Sequence, residues 1–137
     1  MEAKKILLEG GYTCVLVGGG EVHTSKDRGV KPLVRFLESG TVAGGLSAAD
    51  KVVGRATAYL YVLLQVREVY SQVISQPAVE VLESHGIGVT YDTLVPNIIN
   101  RKGDGICPFE EAVMEIEDSG LAYGAIRDKM REMNITL

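Results

Sequence analysis

Apolar positions fall into short clusters separated by glycine and polar breaks, and the most continuous cluster lies mid-chain. Ser47 to Val66 (SAADKVVGRATAYLYVLLQV) opens polar and closes apolar. Ser47, with Asp50 three residues on and an apolar run behind it, has the form of a helix N-terminus with a capping box. Beyond Arg55 no polar stripe interrupts Ala56 to Leu64. This pattern predicts a central helix buried on most sides and, at ~1.5 Å per residue, roughly 30 Å long.

Upstream, Glu2 to Glu9 reads as a short helix stopped by Gly10-Gly11. Tyr12 to Val17 and Glu21 to Ser25 read as two strands joined through Gly18-Gly19-Gly20, a hairpin. A phosphate-binding glycine loop feeds a helix N-terminus; this one feeds a strand. Lys26 to Gly29 is a polar loop, and Pro32 opens a helix that runs to Ser39 and stops at Gly40. Downstream, Arg67 to Ser75 and Gly88 to Asp92 read as strands around a helix that Gln76-Pro77 opens and Gly86 ends. Thr93 to Gly105 is irregular, with room for a short strand at Ile98-Ile99. Cys107-Pro108 begins the helix CPFEEAVMEIED, and Leu121 to Met133 forms a last helix with Leu121, Ala122, Ala125, Ile126 and Met130 on one face. A hairpin followed by strand–helix units predicts an α/β fold, a three-layer α/β/α sandwich with a mixed sheet.

Composition narrows the function. A chain of 137 residues, 46% hydrophobic and 23% charged, suits one domain spanning residues 1–137. The net charge of -4 and the lack of a basic stripe argue against a nucleic-acid partner. Cys14 and Cys107 are too few and too far apart for a zinc module or a disulfide framework. No apolar run has the roughly 18 residues of a membrane span, and the N-terminal residues lack a signal-peptide core. The expectation is a cytoplasmic protein with no membrane contact.

The stretches YTCVLV, DRGVKPL, SAADKVVG, LYVLL, VPNIINR and GDGICPFEEAV resemble a bacterial family of unknown function that is assigned a cytidine-deaminase-like fold. The resemblance implies that fold and no settled reaction. True deaminases start one helix with H-x-E and the next with P-C-x-x-C, and so hold a zinc that activates water. Placed without gaps, Ala48-Ala49-Asp50 takes the first motif and Pro77-Ala78-Val79-Glu80-Val81 the second. The ligand slots then fall on Ala48, Ala78 and Val81, none of which binds zinc. No metal site and no cofactor are expected.

Asp50 reads in two compatible ways, as a general base or acceptor for an amino group, or as a capping partner of Ser47. Lys51, and Arg28 and Lys31 in the DRGVK loop, either hold an anion or are solvated. Cys107 precedes a proline at a helix start, where the dipole favours a thiolate and Glu110 and Glu111 oppose it. It is a candidate nucleophile, or a half-buried thiol at a junction. Neither His23 nor His85 is placed by spacing to activate it. Cys14, mid-strand, reads as core. Asn97, Asn100 and Arg101 supply amides and a guanidinium suited to base edges and anions, though Asn and Gly also make turns. The expected site lies at the N-terminus of the central helix, with Ser47, Asp50 and Lys51 bordered by Arg28, Asn97, Asn100, Arg101, Cys107 and Glu110. Three readings follow: a zinc-free binding protein for a nucleotide- or nucleobase-like ligand; a metal-independent enzyme using Asp50 as base, with Cys107 as a candidate nucleophile; or an interaction protein with no small ligand. The near-continuous apolar run of the central helix and Tyr59, Tyr61 and Tyr70 leave room for a buried interface, and the resemblance to deaminase-like folds implies a homo-oligomer.

Overall fold

The computed structural model describes residues 1–40, 42–100 and 102–137, and among them run six helices and five strands. They are α1 (Glu2–Gly10), β1 (Cys14–Gly18), β2 (Glu21–Ser25), α2 (Lys31–Ser39), β3 (Ser47–Val53), α3 (Arg55–Leu63), β4 (Glu68–Ser75), α4 (Gln76–Ser84), β5 (Gly88–Val95), α5 (Pro108–Val113) and α6 (Ser119–Glu132). The strands form one mixed sheet in the order β2-β1-β3-β4-β5. β1 pairs antiparallel with both β2 and β3, whereas β3–β4 and β4–β5 are parallel. Each parallel step is crossed by a helix, α3 then α4, as parallel strands require.

Alternation along the strands sorts the core between the two faces of the sheet. Val15, Ala49 and Tyr70 join Ala3 and Leu7 of α1 in a small apolar cluster. Their neighbours Cys14, Leu16, Ala48 and Val69 belong to a larger cluster with residues from α2 to α6. The result is an asymmetric α/β sandwich, with α1 on one face and five helices on the other.

The hairpin forms as expected, with Gly18 paired to Glu21 and positive φ angles of 54° and 83° at Gly19 and Gly20, which only glycine adopts freely. α2 starts with Pro32 in its first turn and stops at a left-handed Gly40. α6 is capped by Asp118, whose carboxylate accepts from the Leu121 amide at 2.9 Å. Its buried side is Ala122, Ile126 and Met130; Leu121, expected among them, is 69% exposed. α5 covers only the first half of the expected 107–118 helix. β5 continues past Asp92 to Val95, and the expected strand at Ile98-Ile99 is reduced to one bridge between Ile99 and Ile106.

The main departure lies mid-chain. Ser47–Val53 is a strand, and helix begins only at Arg55. Ser47 to Asp50 are buried in succession between β1 and β4, so this segment supplies the central strand of the sheet. Pairing on both edges and burial on both faces outweigh the weak helix preference of Ser-Ala-Ala-Asp. Gly54, extended at φ -100° and ψ -177°, is the break. α3 has nine residues, so it is about 14 Å long rather than 30. No capping box exists: the Ser47 hydroxyl donates to Glu68 Oε2 at 2.6 Å, and Asp50 sits in the sheet. Tyr59, Tyr61 and Tyr70 are buried within this chain, so they leave no interface open.

Candidate functional site

The C-terminal half of β3 and the starts of α2 and α3 open onto a cleft of about 1200 Å³. Residues 98–100, 102, 104 and 107, with the start of α5, close it from the other side. Residues 98–100 and 105–107 are tied to each other there: the Asn100 amide donates to Gly105 O at 2.8 Å and the Cys107 amide to Ile98 O at 2.9 Å. Val30, Pro32, Val52 and Phe109 give the cleft apolar walls.

Asp50 lies on its floor, 9% exposed. Its carboxyl is held from two sides: Tyr61 Oη donates to Oδ2 at 2.6 Å, and the Val52 amide to Oδ1 at 3.3 Å. Tyr61 is itself buried on α3 and in contact with Cys14 Sγ at 3.4 Å. Cys14 faces Asp50 across the β1–β3 ladder, so thiol, phenol and carboxyl form one buried chain. Burial pushes the Asp50 carboxyl up to about 7, against the pull of the Tyr61 hydroxyl and the Val52 and Lys51 amides. Burial, with Asp50 adding to it, also raises the Tyr61 phenol and the Cys14 thiol well above their ordinary values. A carboxyl raised that far can exchange a proton near neutrality, where an acid–base residue is most effective.

Glu110 has a different task. Its Oε1 accepts from the Arg55 amide at 2.7 Å and its Oε2 from the Ala56 amide at 2.9 Å. These are two of the first amides of α3, which have no partner inside the helix. The N-terminus of the central helix, where a ligand was expected, is therefore filled by a carboxylate of the chain itself. Gly54 makes the approach possible, because a Cβ there would lie 2.4 Å from the Glu110 carboxyl carbon. Burial raises the Glu110 carboxyl, while the two amides, Arg55 and the Ser75 hydroxyl hold it down. Arg55 completes the joint: its Nε donates to Val113 O at 3.1 Å and its guanidinium to Ile116 O at 2.6 Å.

Charge along the rim is unbalanced by internal pairing. Asp27 is bound to Arg35 at 3.0 Å, and Asp104 accepts from Asn100 at 2.9 Å. Arg28, Lys31, Lys51 and Lys102 line the same cleft, and among the described residues none of them makes an ion pair.

The expected site residues are thus partly assembled. Arg28, Asp50, Lys51, Asn100, Cys107 and Glu110 all line the cleft. Ser47 does not; it lies at the other end of β3, in a separate hollow of about 180 Å³ beside Arg67 and Glu68. Asn97 lies outside the cleft lining, and Arg101 lies outside the described residues. Ala48-Ala49-Asp50 is on a strand and cannot hold the place of a helix-opening H-x-E motif. The starts of α2, α3 and α5 meet at the cleft, and the consecutive pair α2 and α3 lies one unit earlier than the ungapped placement put it. Among the described residues no three His, Cys, Asp or Glu side chains are grouped to hold a metal, and no helix is long and apolar enough to cross a membrane. Sequence reasoning missed Gly54, Thr57 and Tyr61. The four-residue spacing of Thr57 and Tyr61 was a usable signal once the helix start was known.

Comparison with solved structures finds the crystal structure of a DUF1893 family protein (TM1506) from Thermotoga maritima, with a TM-score of 0.83 and 28% identity over 96% of this chain and 87% of that one. No curated protein matches. The family model TM1506, domain of unknown function (DUF1893), matches residues 2–130. With nearly the whole chain matched, and with a solved structure of that family superposing on its fold, this protein belongs to the DUF1893 family.

Proposed function

We propose that this protein binds a small nucleotide- or nucleobase-like molecule in the cleft, on a single cytidine-deaminase-like domain that lacks the zinc ligands of the deaminases. One observation carries the reading: a nearly buried carboxyl, Asp50, sits on the floor of a large cleft with apolar walls and unpaired cations on its rim. Ligand pockets combine apolar walls with a few convergent polar groups in this way. The deaminase-like part rests on two consecutive helix starts, α2 and α3, meeting at one cleft, as the deaminase motifs require. The first turn of α3, from Arg55 to Ala58, carries no thiol, and the Glu110 carboxylate caps it. Cytoplasmic location and a homo-oligomeric state belong to the same proposal.

The test is a thermal-shift screen with nucleobases, nucleosides, nucleotides and phosphorylated metabolites, with and without zinc. Binding to the folded state alone stabilises by about 2.7 kcal/mol at a hundred times the dissociation constant. A shift that disappears in Asp50→Asn supports the reading, and a flat panel rejects it in favour of a protein partner.

A second reading, a metal-independent enzyme, draws on the carboxyl that titrates near neutrality and on Cys107, which lines the same cleft. It requires Cys107 to alkylate at neutral pH faster than an exposed model thiol. A slow rate removes Cys107 from the chemistry and leaves Asp50 alone.

A further inference from the structure

Thr57 is a cleft residue whose hydroxyl has no assignment so far. It lies in the first turn of α3, is 8% exposed, and lines the cleft. Among the described residues its hydroxyl makes no hydrogen bond, although no fully enclosed side-chain oxygen or nitrogen is left without a partner. The hydroxyl is therefore reachable, and the cleft is what reaches it. A buried hydroxyl without a partner is costly unless water or a ligand satisfies it.

Its neighbours fix what it can meet. Thr57 and Tyr61 are four residues apart, so they share one face of α3, and Tyr61 on that face donates to Asp50. The Thr57 side chain thus stands one helical turn from the Tyr61–Asp50 bond, on the cleft side. Asp50 supplies an acceptor whose orientation is fixed by Tyr61 and Val52. Thr57 supplies a rotatable hydroxyl that can donate to a ring nitrogen or carbonyl. An acceptor and a donor that open onto one cleft match a heterocycle that presents an N–H and a ring nitrogen or carbonyl on one edge. The rim above them carries Arg28, Lys31, Lys51 and Lys102, whose neighbouring acids Asp27 and Asp104 are already bound elsewhere.

We propose that Asp50 and Thr57 together read the donor–acceptor edge of a heterocyclic base, while the rim cations hold an anionic group on the same molecule, so that the cleft takes a nucleoside monophosphate in preference to the free base or nucleoside. This rests on the ligand-binding reading above and specifies it. Thr57 is a ligand-contacting residue in this arrangement, and Tyr61 is a positioning residue that acts through Asp50.

The experiment is calorimetric titration of the full chain with purine and pyrimidine nucleoside monophosphates, the matching nucleosides, and inorganic phosphate. Thr57→Val keeps the side-chain shape and removes the hydroxyl, and Thr57→Ser keeps the hydroxyl. Thr57→Val is expected to weaken the monophosphate by about tenfold, as loss of one hydrogen bond in a buried site does, and Thr57→Ser to bind within about threefold of the wild type. Lys31→Ala is expected to weaken the monophosphate and leave the nucleoside unchanged. Equal binding by wild type and Thr57→Val overturns the role of Thr57 while the ligand-binding reading stands. Equal loss in both Thr57 variants traces to packing and also overturns it. A nucleoside that binds as tightly as its monophosphate overturns the anionic half. No heat with any probe on the wild type overturns this inference and the reading beneath it together.

Discussion

Asp50 and Glu110 line the same cleft, and each is about nine-tenths buried, yet their surroundings assign them opposite roles. Glu110 is saturated by two main-chain amides of α3, with Ser75 and Arg55 beside it. It works as a cap, and its charge is useful because the helix dipole and the amides meet it. Asp50 is held by one phenol and the Val52 amide, with a thiol behind them and, among the described residues, no cation bonded to it. It is held in place without being neutralised. A buried acid that is fully paired belongs to the fold, and one that is oriented but underpaired is available to a ligand.

The largest effect that separates the two is a pH dependence. The folded state keeps a proton on Asp50 up to about pH 7, whereas an unfolded Asp loses it near its ordinary value. Asp50 therefore favours the folded state below about pH 4, and that contribution falls away as pH rises to 7, by about 4 kcal/mol in total. Glu110 is shifted in the same direction. Urea unfolding between pH 4.5 and 8 should show stability declining across that range. Asp50→Asn, which keeps an acceptor for Tyr61, should flatten the decline and exceed the wild type in stability at pH 8. A parallel decline in the variant would put the proton elsewhere.

Glu110→Ala comes next. It orphans two amides in a buried setting and should cost about 3 kcal/mol at neutral pH, read as a lower denaturant midpoint. Asp50→Ala should cost less, and the reverse order would break the comparison. Gly54→Ala tests the same cap sterically, because its backbone angles suit any residue and only the approach of Glu110 forbids a Cβ. About 2 kcal/mol is expected, since overpacking typically costs 1–3. Introduced together, Gly54→Ala and Glu110→Ala should cost clearly less than the two alone, because both act on one contact. The smallest effect is Ser47→Ala, which removes a half-exposed hydrogen bond to Glu68 far from the cleft. It should change stability by about 1 kcal/mol or less and leave ligand binding untouched.

Much of this architecture is legible in local chemistry. The glycine hairpin, the proline-opened α2 and α4, and the glycine stop at Gly40 follow from residues that admit few conformations. β3 is not legible in that way. Four successive buried residues, Ser47 to Asp50, show no alternation because both faces of the strand are covered. Their small and polar side chains merge with the alanine-rich α3, and Gly54 alone marks the boundary. The site inherits that ambiguity. Asp50 is identified as a candidate by its type and its place at the expected start of the central helix, but its partners are not. Tyr61 meets it only because a strand and a helix fold back on each other at Gly54. Glu110 meets α3 from 55 positions away, a pairing that no local pattern encodes.

That last distance bears on how the molecule comes into being. The first turn of α3 is finished by a residue that follows two further strands and a helix in the chain. Closing so long a loop is entropically slow, and the contact that rewards it forms late. During synthesis α3 emerges well before Glu110 and must wait with its leading amides in water. The Glu110 contact that completes the first turn of α3 also brings α5 up to the cleft, so cleft wall and central helix depend on one long-range contact.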